Sequence, residues 1–217
     1  MKRMMTYDTY IFDLDGTLLD TLGDLAASAN YALRTNHLPE HSIDDIRRFV
    51  GNGVRKLMER AVPQGEENPR FQQALDAFRG HYTAHGTDTT KPYPGIIQLL
   101  TTLKEEGKMV AVVSNKFDAA TKALCSHFFH SLIDVAIGES ERVRKKPAPD
   151  TVEEALRVLG ATKEKAVYVG DSDVDIQTAQ NSGMPCISVT WGFRDRDFLV
   201  AHGAFNLVDS PEEILDF

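Results

Sequence analysis

Two rhythms of apolar positions divide the chain. Tyr10-Ile11-Phe12 is a short apolar run that opens into the polar cluster 13–17, the pattern of a buried strand entering a loop. From Thr21 to Gly86 apolar residues recur every three or four positions. Leu22, Leu25, Ala26, Ala29 and Leu33 predict a first helix behind Thr21 as N-cap, and Ser42 caps a second that Gly51 ends. A third helix covers 54–62. Asn68-Pro69 start a fourth, with Phe71, Leu75, Phe78 and Tyr82 on one side and Gly86 at its close. The polar, Pro- and Gly-rich stretch 87–95 predicts a return linker. Beyond Gly95 helices and β-branched runs alternate. Helices are predicted over 96–106, 118–127, 150–159, 174–181 and 197–202, and strands over 109–113, 132–137, 166–169, 186–190 and 206–208. Buried strands separated by helices predict an α/β fold, a Rossmann-like parallel sheet covered by helices. Residues 1–20 with 87–217 form this core, and 21–86 are a four-helix unit inserted after its first strand.

Composition narrows the functional classes. The 217 residues hold 24 Lys plus Arg against 32 Asp plus Glu, a formal charge of −8, with 42% hydrophobic and 26% charged residues. An acidic balance argues against broad binding to nucleic acid or to an anionic membrane, both of which need a basic face. It leaves open a small anionic substrate, because a local site can oppose the net charge. No apolar run approaches the ~18 residues of a membrane span. Lys2 and Arg3 resemble the start of a signal peptide, but Thr6, Tyr7, Asp8 and Thr9 interrupt it. Cys125 and Cys186 make no disulfide framework and no metal-type spacing, so a cytoplasmic protein, monomer or homodimer, is expected.

Four segments place polar groups where a parallel sheet binds ligands, beyond the carboxyl ends of its strands. In Asp13-Leu14-Asp15-Gly16-Thr17, residues two apart on extended backbone point the same way, so Asp13 and Asp15 share a face. Two close carboxylates repel unless a cation or a shared proton relieves them, and Mg2+ favours oxygen ligands. The same residues also read as a solvated loop. Ser114-Asn115 follow a predicted strand, where a hydroxyl and nearby N–H groups suit a phosphoryl oxygen; Ser-Asn is equally ordinary turn chemistry. Lys146 abuts Pro147-Ala148-Pro149, a stiff unit that directs its amine, and the alternative there is a solvated basic loop. Gly170-Asp171-Ser172-Asp173-Val174-Asp175 ends another strand. Asp171 and Asp175, four apart, share a face if a helix begins there, although acidic helix caps are common.

Taken in order, acidic pair, Ser, Lys and acidic cluster resemble the four motifs of the haloacid dehalogenase-like hydrolase superfamily. The resemblance covers essentially the whole chain, and the helical insert is similar to that superfamily's C1-type cap. It implies that Asp13 is a nucleophile forming an aspartyl-phosphate, and that Asp15 is general acid, then general base. It further implies that Thr17 and Ser114 contact the phosphoryl group and that Lys146 steadies nucleophile and phosphate; Asn115, next to Ser114, is a candidate substrate contact. The implied Mg2+ is held by the Asp13 carboxylate, the Asp15 backbone carbonyl and Asp171, with Asp175 outside them. Asp15 favours phosphate-ester cleavage over carbon–halogen cleavage, because the dehalogenases lack that Asp. Thr17 favours hydrolysis over hexose-phosphate mutation, where Val is usual.

Within the insert, Phe49-Val50-Gly51-Asn52-Gly53-Val54-Arg55-Lys56 combines a turn, a helix start and two cations, which makes Gly53 and Arg55 candidate substrate contacts or simply a solvated joint. That segment, with Asp24-Leu25-Ala26 and Val189-Thr190-Trp191-Gly192, resembles the phosphoglycolate phosphatases of the superfamily. The expectation is a Mg2+-dependent phosphatase of a small phosphorylated metabolite, 2-phosphoglycolate first. Pyrophosphate and sugar phosphates are the enzymatic alternatives, and a phospho-Asp receiver or a binding module the non-enzymatic ones. His81 with His85, and His127 with His130, are expected to be packing or solvated residues.

Overall fold

The computed structural model describes residues 7–141 and 143–217, so Lys2 and Arg3 lie outside the described residues. In chain order the regular elements begin with strand β1 (Thr9–Phe12), strand β2 (Leu19–Asp20) and helices α1 (Leu22–Thr35), α2 (Ile43–Phe49), α3 (Val54–Ala61) and α4 (Phe71–His85). They continue with β3 (Lys91–Pro92), α5 (Ile96–Glu105), β4 (Met109–Phe117), α6 (Asp118–Phe129), β5 (Val135–Glu139) and α7 (Asp150–Leu159). The last are β6 (Ala166–Gly170), α8 (Asp173–Ser182), β7 (Cys186–Val189), α9 (Arg196–Ala201) and β8 (Asn206–Val208). The chain divides into two compact units, one of residues up to Leu18 with Pro92–Phe217, the other Leu19–Lys91.

In the first unit six strands form one parallel sheet in the order β5-β4-β1-β6-β7-β8. Every residue of β1 and β6 is buried, as a central parallel strand covered on both faces requires. On one face Ile11, Ala111, Val113, Ala166 and Tyr168 pack with Val152 and Ala155 of α7 and Ala179 of α8. β4 and β6 flank β1, and the connections leave them in opposite directions along the sheet, so the carboxyl end of β1 lies at a topological switch point.

The Leu19–Lys91 unit contains α1 to α4. Fully buried side chains include Ala29 and Leu33 of α1, Ile46 of α2, Met58 of α3, and Leu75 and Phe78 of α4, and the spacing on α1 and α4 is that of an apolar stripe. Ser42 and Asp45 close a capping box on α2. Asp24 joins the two ends of the unit: it is buried in the first turn of α1 and accepts from four donors, the backbone N–H and hydroxyl groups of Thr89 and Thr90, at 2.6–2.9 Å. Burial alone would raise its pKa, but these donors outweigh burial and hold it low. Truncation strands buried donors, which costs about 1–3 kcal/mol each. Asp24→Ala is therefore expected to lower unfolding stability by about 3 kcal/mol, and Asp24→Asn by less, measured by urea unfolding; equal midpoints for wild type and Asp24→Ala would refute this anchor.

Several boundaries differ from the sequence reading. The strand predicted over 132–137 starts only at Val135. His130 at φ 47° turns the chain, and Asp134 holds the bend by accepting from Val110 N–H (2.8 Å) and Lys104 (2.6 Å). β4 runs past Val113 to Phe117 with a register irregularity, so Ser114, Asn115 and Lys116 belong to the strand and not to a loop beyond it. Thr21 precedes α1 but makes no side-chain cap; Asp20 accepts from Leu22 N–H instead (3.3 Å). β2 and β3, a separate two-stranded sheet, and the closing 3-10 turn Pro211–Asp216 have no counterpart in the hydrophobic rhythm. Among the described residues no helix is long and apolar enough to cross a membrane.

Candidate active site

The carboxyl ends of β1, β4 and β6 bring the first-unit candidates together. Asp13 leaves β1 with its N–H still bonded to Val169 O (2.9 Å), so the sheet itself aims its carboxylate. Lys146 is buried, and its ammonium donates to Asp13 Oδ1 (2.7 Å), Asp175 Oδ1 (2.8 Å) and the Tyr168 hydroxyl (3.0 Å). Three donors meet three acceptors, which fixes the amine in place. The Tyr168 hydroxyl in turn donates a hydrogen bond to Asp175 Oδ1 at 2.9 Å. Asp175 Oδ2 takes the N–H (3.1 Å) and hydroxyl (2.6 Å) of Ser172 at the start of α8. Both of its oxygens are therefore committed to groups of the protein.

Asp171 stands differently. Its Oδ2 accepts from Phe193 N–H (2.7 Å) and its Oδ1 from the Thr17 hydroxyl (3.3 Å), which leaves lone pairs free on a buried carboxylate. Gly16, at φ 90°, and Gly192 lie so close that a Cβ on either would collide with that carboxylate. The Trp191 indole N–H bonds Thr17 O (3.0 Å) and ties the Trp191–Phe193 turn to the first motif. Asp15 faces away from this cluster: Ser114 Oγ lies 3.5 Å from its Oδ2 and Lys116 Nζ 3.1 Å from its Oδ1.

Asn115 is brought to the same strand end but engages the protein. Its Oδ1 accepts from Lys146 N–H (2.7 Å) and its Nδ2 donates to Lys146 O (3.0 Å), so it holds the Lys146 backbone. Gly53 and Arg55 lie in the helical unit. Gly51, Asn52 and Gly53 all have positive φ, Gly53 precedes α3, and Arg55 pairs with Glu66 (2.7 Å) over the Phe71 ring. His81 bonds Ser28 (3.0 Å) and lies beside His85 with the two rings tilted, and His85 pairs with Asp88 (2.9 Å).

One oxygen from each of Asp13, Asp171 and Asp175 lies within 4.8 Å of the others, the sole group of three or more His, Cys, Asp or Glu residues among the described ones arranged to hold a metal. Electrostatics sharpen this. Burial, with the charge of Asp175, pushes the Asp13 carboxyl well above the usual range against the pull of Lys146. Burial and Asp175 likewise push Asp171 up to about 7. Burial disfavours the Lys146 ammonium, yet Asp13 and Asp175 overcome it and hold the amine charged. Three buried carboxylates against one ammonium leave excess negative charge, so the donor set and charge fit a hard divalent cation on Asp13 and Asp171.

Three participants escape sequence reading. Tyr168 sits mid-strand and reads as an apolar core residue; the Phe193 N–H is a backbone group in a turn; Lys116 carries no motif signature. Trp191-Gly192 alone left a trace in the sequence.

A family model described as haloacid dehalogenase-like hydrolase matches residues 10–189. A phosphoglycolate phosphatase of Mesorhizobium japonicum is 34% identical over 88% of this chain and 86% of its own length, and one of Cereibacter sphaeroides 35% identical over 94% and 96%. A solved structure from Lactobacillus delbrueckii subsp. bulgaricus, provisionally named a phosphoglycolate phosphatase, superposes with a TM-score of 0.94 at 38% identity, covering 98% of each chain. CbbY from Rhodobacter sphaeroides in complex with phosphate superposes at 0.78 with 25% identity, over 96% of each. With its motifs gathered at one sheet end around buried carboxylates and a saturated lysine, the chain belongs to the haloacid dehalogenase-like hydrolase family, as one of its phosphatases.

Proposed function

We propose that the protein hydrolyses 2-phosphoglycolate to glycolate and phosphate through an aspartyl-phosphate on Asp13. The observation that carries this reading is the Asp13–Lys146 contact at 2.7 Å inside a carboxylate cluster. A bare carboxylate would repel a phosphate dianion, and phosphoryl transfer depends mainly on positioning and charge compensation. Lys146 neutralises part of the nucleophile's surroundings and keeps Asp13 aimed. Thr17 and Ser114 offer hydroxyls to the phosphoryl oxygens. Asp15, apart from the cluster, protonates the leaving oxygen and afterwards takes a proton from water. Mg2+ is the cation we assign to Asp13, Asp171 and the Asp15 backbone carbonyl, where it would supply charge stabilisation and orientation. Asp175, its oxygens engaged by Lys146, Tyr168 and Ser172, acts from outside that shell. Asn115 serves this reading best as the residue that sets Lys146.

The names of the relatives support this choice of substrate. The helical unit is assigned as the cap that selects it, with Gly53 and Arg55 as contacts; the Arg55–Glu66 pair is exposed and weak enough to exchange for a ligand. Free Cys125 and Cys186 suit a reducing cytoplasm, and a monomer or homodimer working on a small metabolite. Phosphate release by the purified protein, with Mg2+, from 2-phosphoglycolate, pyrophosphate, hexose phosphates and a pentulose bisphosphate tests the assignment. The expected result is a kcat/KM at least about tenfold higher for 2-phosphoglycolate than for any other. A higher value for one of the others overturns the substrate and leaves the chemistry.

A further inference from the structure

The Trp191-Gly192 pair stands beside the acidic cluster, and the proposed chemistry gives it no part. It lies in an irregular turn between β7 and α9. Both ends of the turn are pinned: Thr190 N–H donates to Val208 O (3.1 Å), and Asp195 caps α9 by accepting from Phe198 N–H (2.8 Å). Between them the turn sends two donors into the site. Phe193 N–H meets Asp171 Oδ2 (2.7 Å), and the Trp191 indole N–H meets Thr17 O (3.0 Å). A β-carbon on Gly192 would strike Asp171 Cβ and Gly16 O. The φ of Gly192 is not in the left-handed region, so closeness to Asp171, and not backbone conformation, excludes a side chain there.

These contacts fall on two residues whose orientation the chemistry needs. A carboxylate that receives a cation must present an oxygen in a fixed direction, and an Asp otherwise turns about its two side-chain bonds. Asp171 is denied that freedom: Phe193 N–H takes one oxygen, and Gly16 and Gly192 close on its flanks. Oδ1 keeps the longer bond, 3.3 Å from the Thr17 hydroxyl, and is the oxygen more readily given to a cation. Thr17 is set by the same turn, through its carbonyl. The indole N–H thus holds the turn against the first motif, and the turn holds the carboxylate.

We propose that Trp191 is a positioning residue for the cation site: its indole N–H locks residues 191–193 onto Thr17, and through Phe193 N–H and Gly192 the turn fixes the Asp171 carboxylate in the orientation that receives Mg2+. In this role Trp191 touches neither cation nor substrate, so its contribution is to metal affinity and not to the chemical step. This deepens the phosphatase reading and rests on its assignment of Mg2+ to Asp171.

Trp191 is the one tryptophan of the chain, so tryptophan analogues supplied during expression change this position alone. The test measures the Mg2+ dissociation constant of the metal-free protein by titration calorimetry at pH 8. Wild type is compared with Trp191→Phe, with Gly192→Ala, and with proteins carrying benzothienylalanine or 5-fluorotryptophan. Benzothienylalanine puts sulfur in place of the N–H at nearly the same shape, whereas 5-fluorotryptophan keeps the donor. Binding stoichiometry reports the folded fraction, so the dissociation constant reads the site itself. Trp191→Phe and the benzothienylalanine protein are expected to bind Mg2+ about tenfold more weakly, and Gly192→Ala about 100-fold, the range for losing an outer-shell partner of a metal ligand. The 5-fluorotryptophan protein should bind within about twofold of wild type, and both analogue proteins should keep kcat at saturating Mg2+ within about threefold. A benzothienylalanine protein that binds as wild type does, or equal losses in the two analogue proteins, overturns the proposal, whether or not Gly192→Ala folds. Failure of wild type itself to bind Mg2+ would overturn the cation assignment beneath it as well, so the two failures are distinguishable.

Discussion

Asp13→Asn is expected to lower phosphate release by at least about 10⁴-fold with the fold intact. The substitution keeps size and shape at the end of β1 but removes the attacking oxygen's charge. An amide neither forms the acyl phosphate nor gives it up to water. Stability should not fall. Burial and the neighbouring Asp175 and Asp171 already push Asp13 toward its neutral form, and an amide oxygen still accepts from Lys146. Lys146 keeps Asp175 and Tyr168 as partners in the variant. Acid-quenched wild type incubated with substrate should carry phosphate on the peptide containing Asp13, and the variant should carry none. Retention of even a tenth of wild-type turnover by a pure, folded variant would remove Asp13 from the nucleophile's role.

How much of this site the sequence discloses depends on the kind of signal each residue leaves. Strands, helices and their closing glycines follow from apolar spacing, because burial on one face imposes a period. Asp13 and Asp171 emerge from polar residues placed just after buried runs, where a parallel sheet presents its ligand site, and Lys146 from the stiff Pro147-Ala148-Pro149 unit beside it. Pairing leaves no such trace. Asn115 looks like a phosphate contact until its amide is seen bridging the Lys146 backbone, 31 residues away in the chain. Tyr168 belongs to the core by spacing, and only its hydroxyl, against Lys146 and Asp175, makes it part of the site. Asp24, set beside Leu25-Ala26 as a family-like feature, turns out to be a clasp on Thr89 and Thr90, 65 and 66 residues on. Periodicity reports which side of an element is buried; it carries nothing about which donor meets which acceptor across the fold.

The excess of buried negative charge makes a second large effect testable without substrate. In the metal-free protein Asp171 holds its proton up to about pH 7, whereas an unfolded chain releases it near 4. Between those values the folded state binds more protons than the unfolded one, so stability falls as pH rises through that window and levels off above it. Asp13, raised in the same direction, adds to the slope. The cost at pH 8 is on the order of a few kcal/mol, which for a chain of this size is about 5 °C or more in Tm. Asp171→Asn should remove much of it. The variant keeps an oxygen for the Phe193 N–H and loses the charge, so in EDTA it should melt about 5 °C above wild type at pH 8 and nearly level with it at pH 4.5. Adding Mg2+ at pH 8 should raise the wild-type Tm, because a cation that binds only the folded carboxylates stabilises by mass action, and should leave the variant nearly unmoved. Activity should run the other way, with Asp171→Asn losing at least about 100-fold in phosphate release. That opposition of stability to turnover separates a functional carboxylate from a structural one: a structural Asp171 would melt lower when neutralised. A variant less stable than wild type at pH 8 in EDTA, or a wild-type Tm indifferent to Mg2+, would show that the charge of this cluster is balanced within the protein and is not arranged to receive a cation.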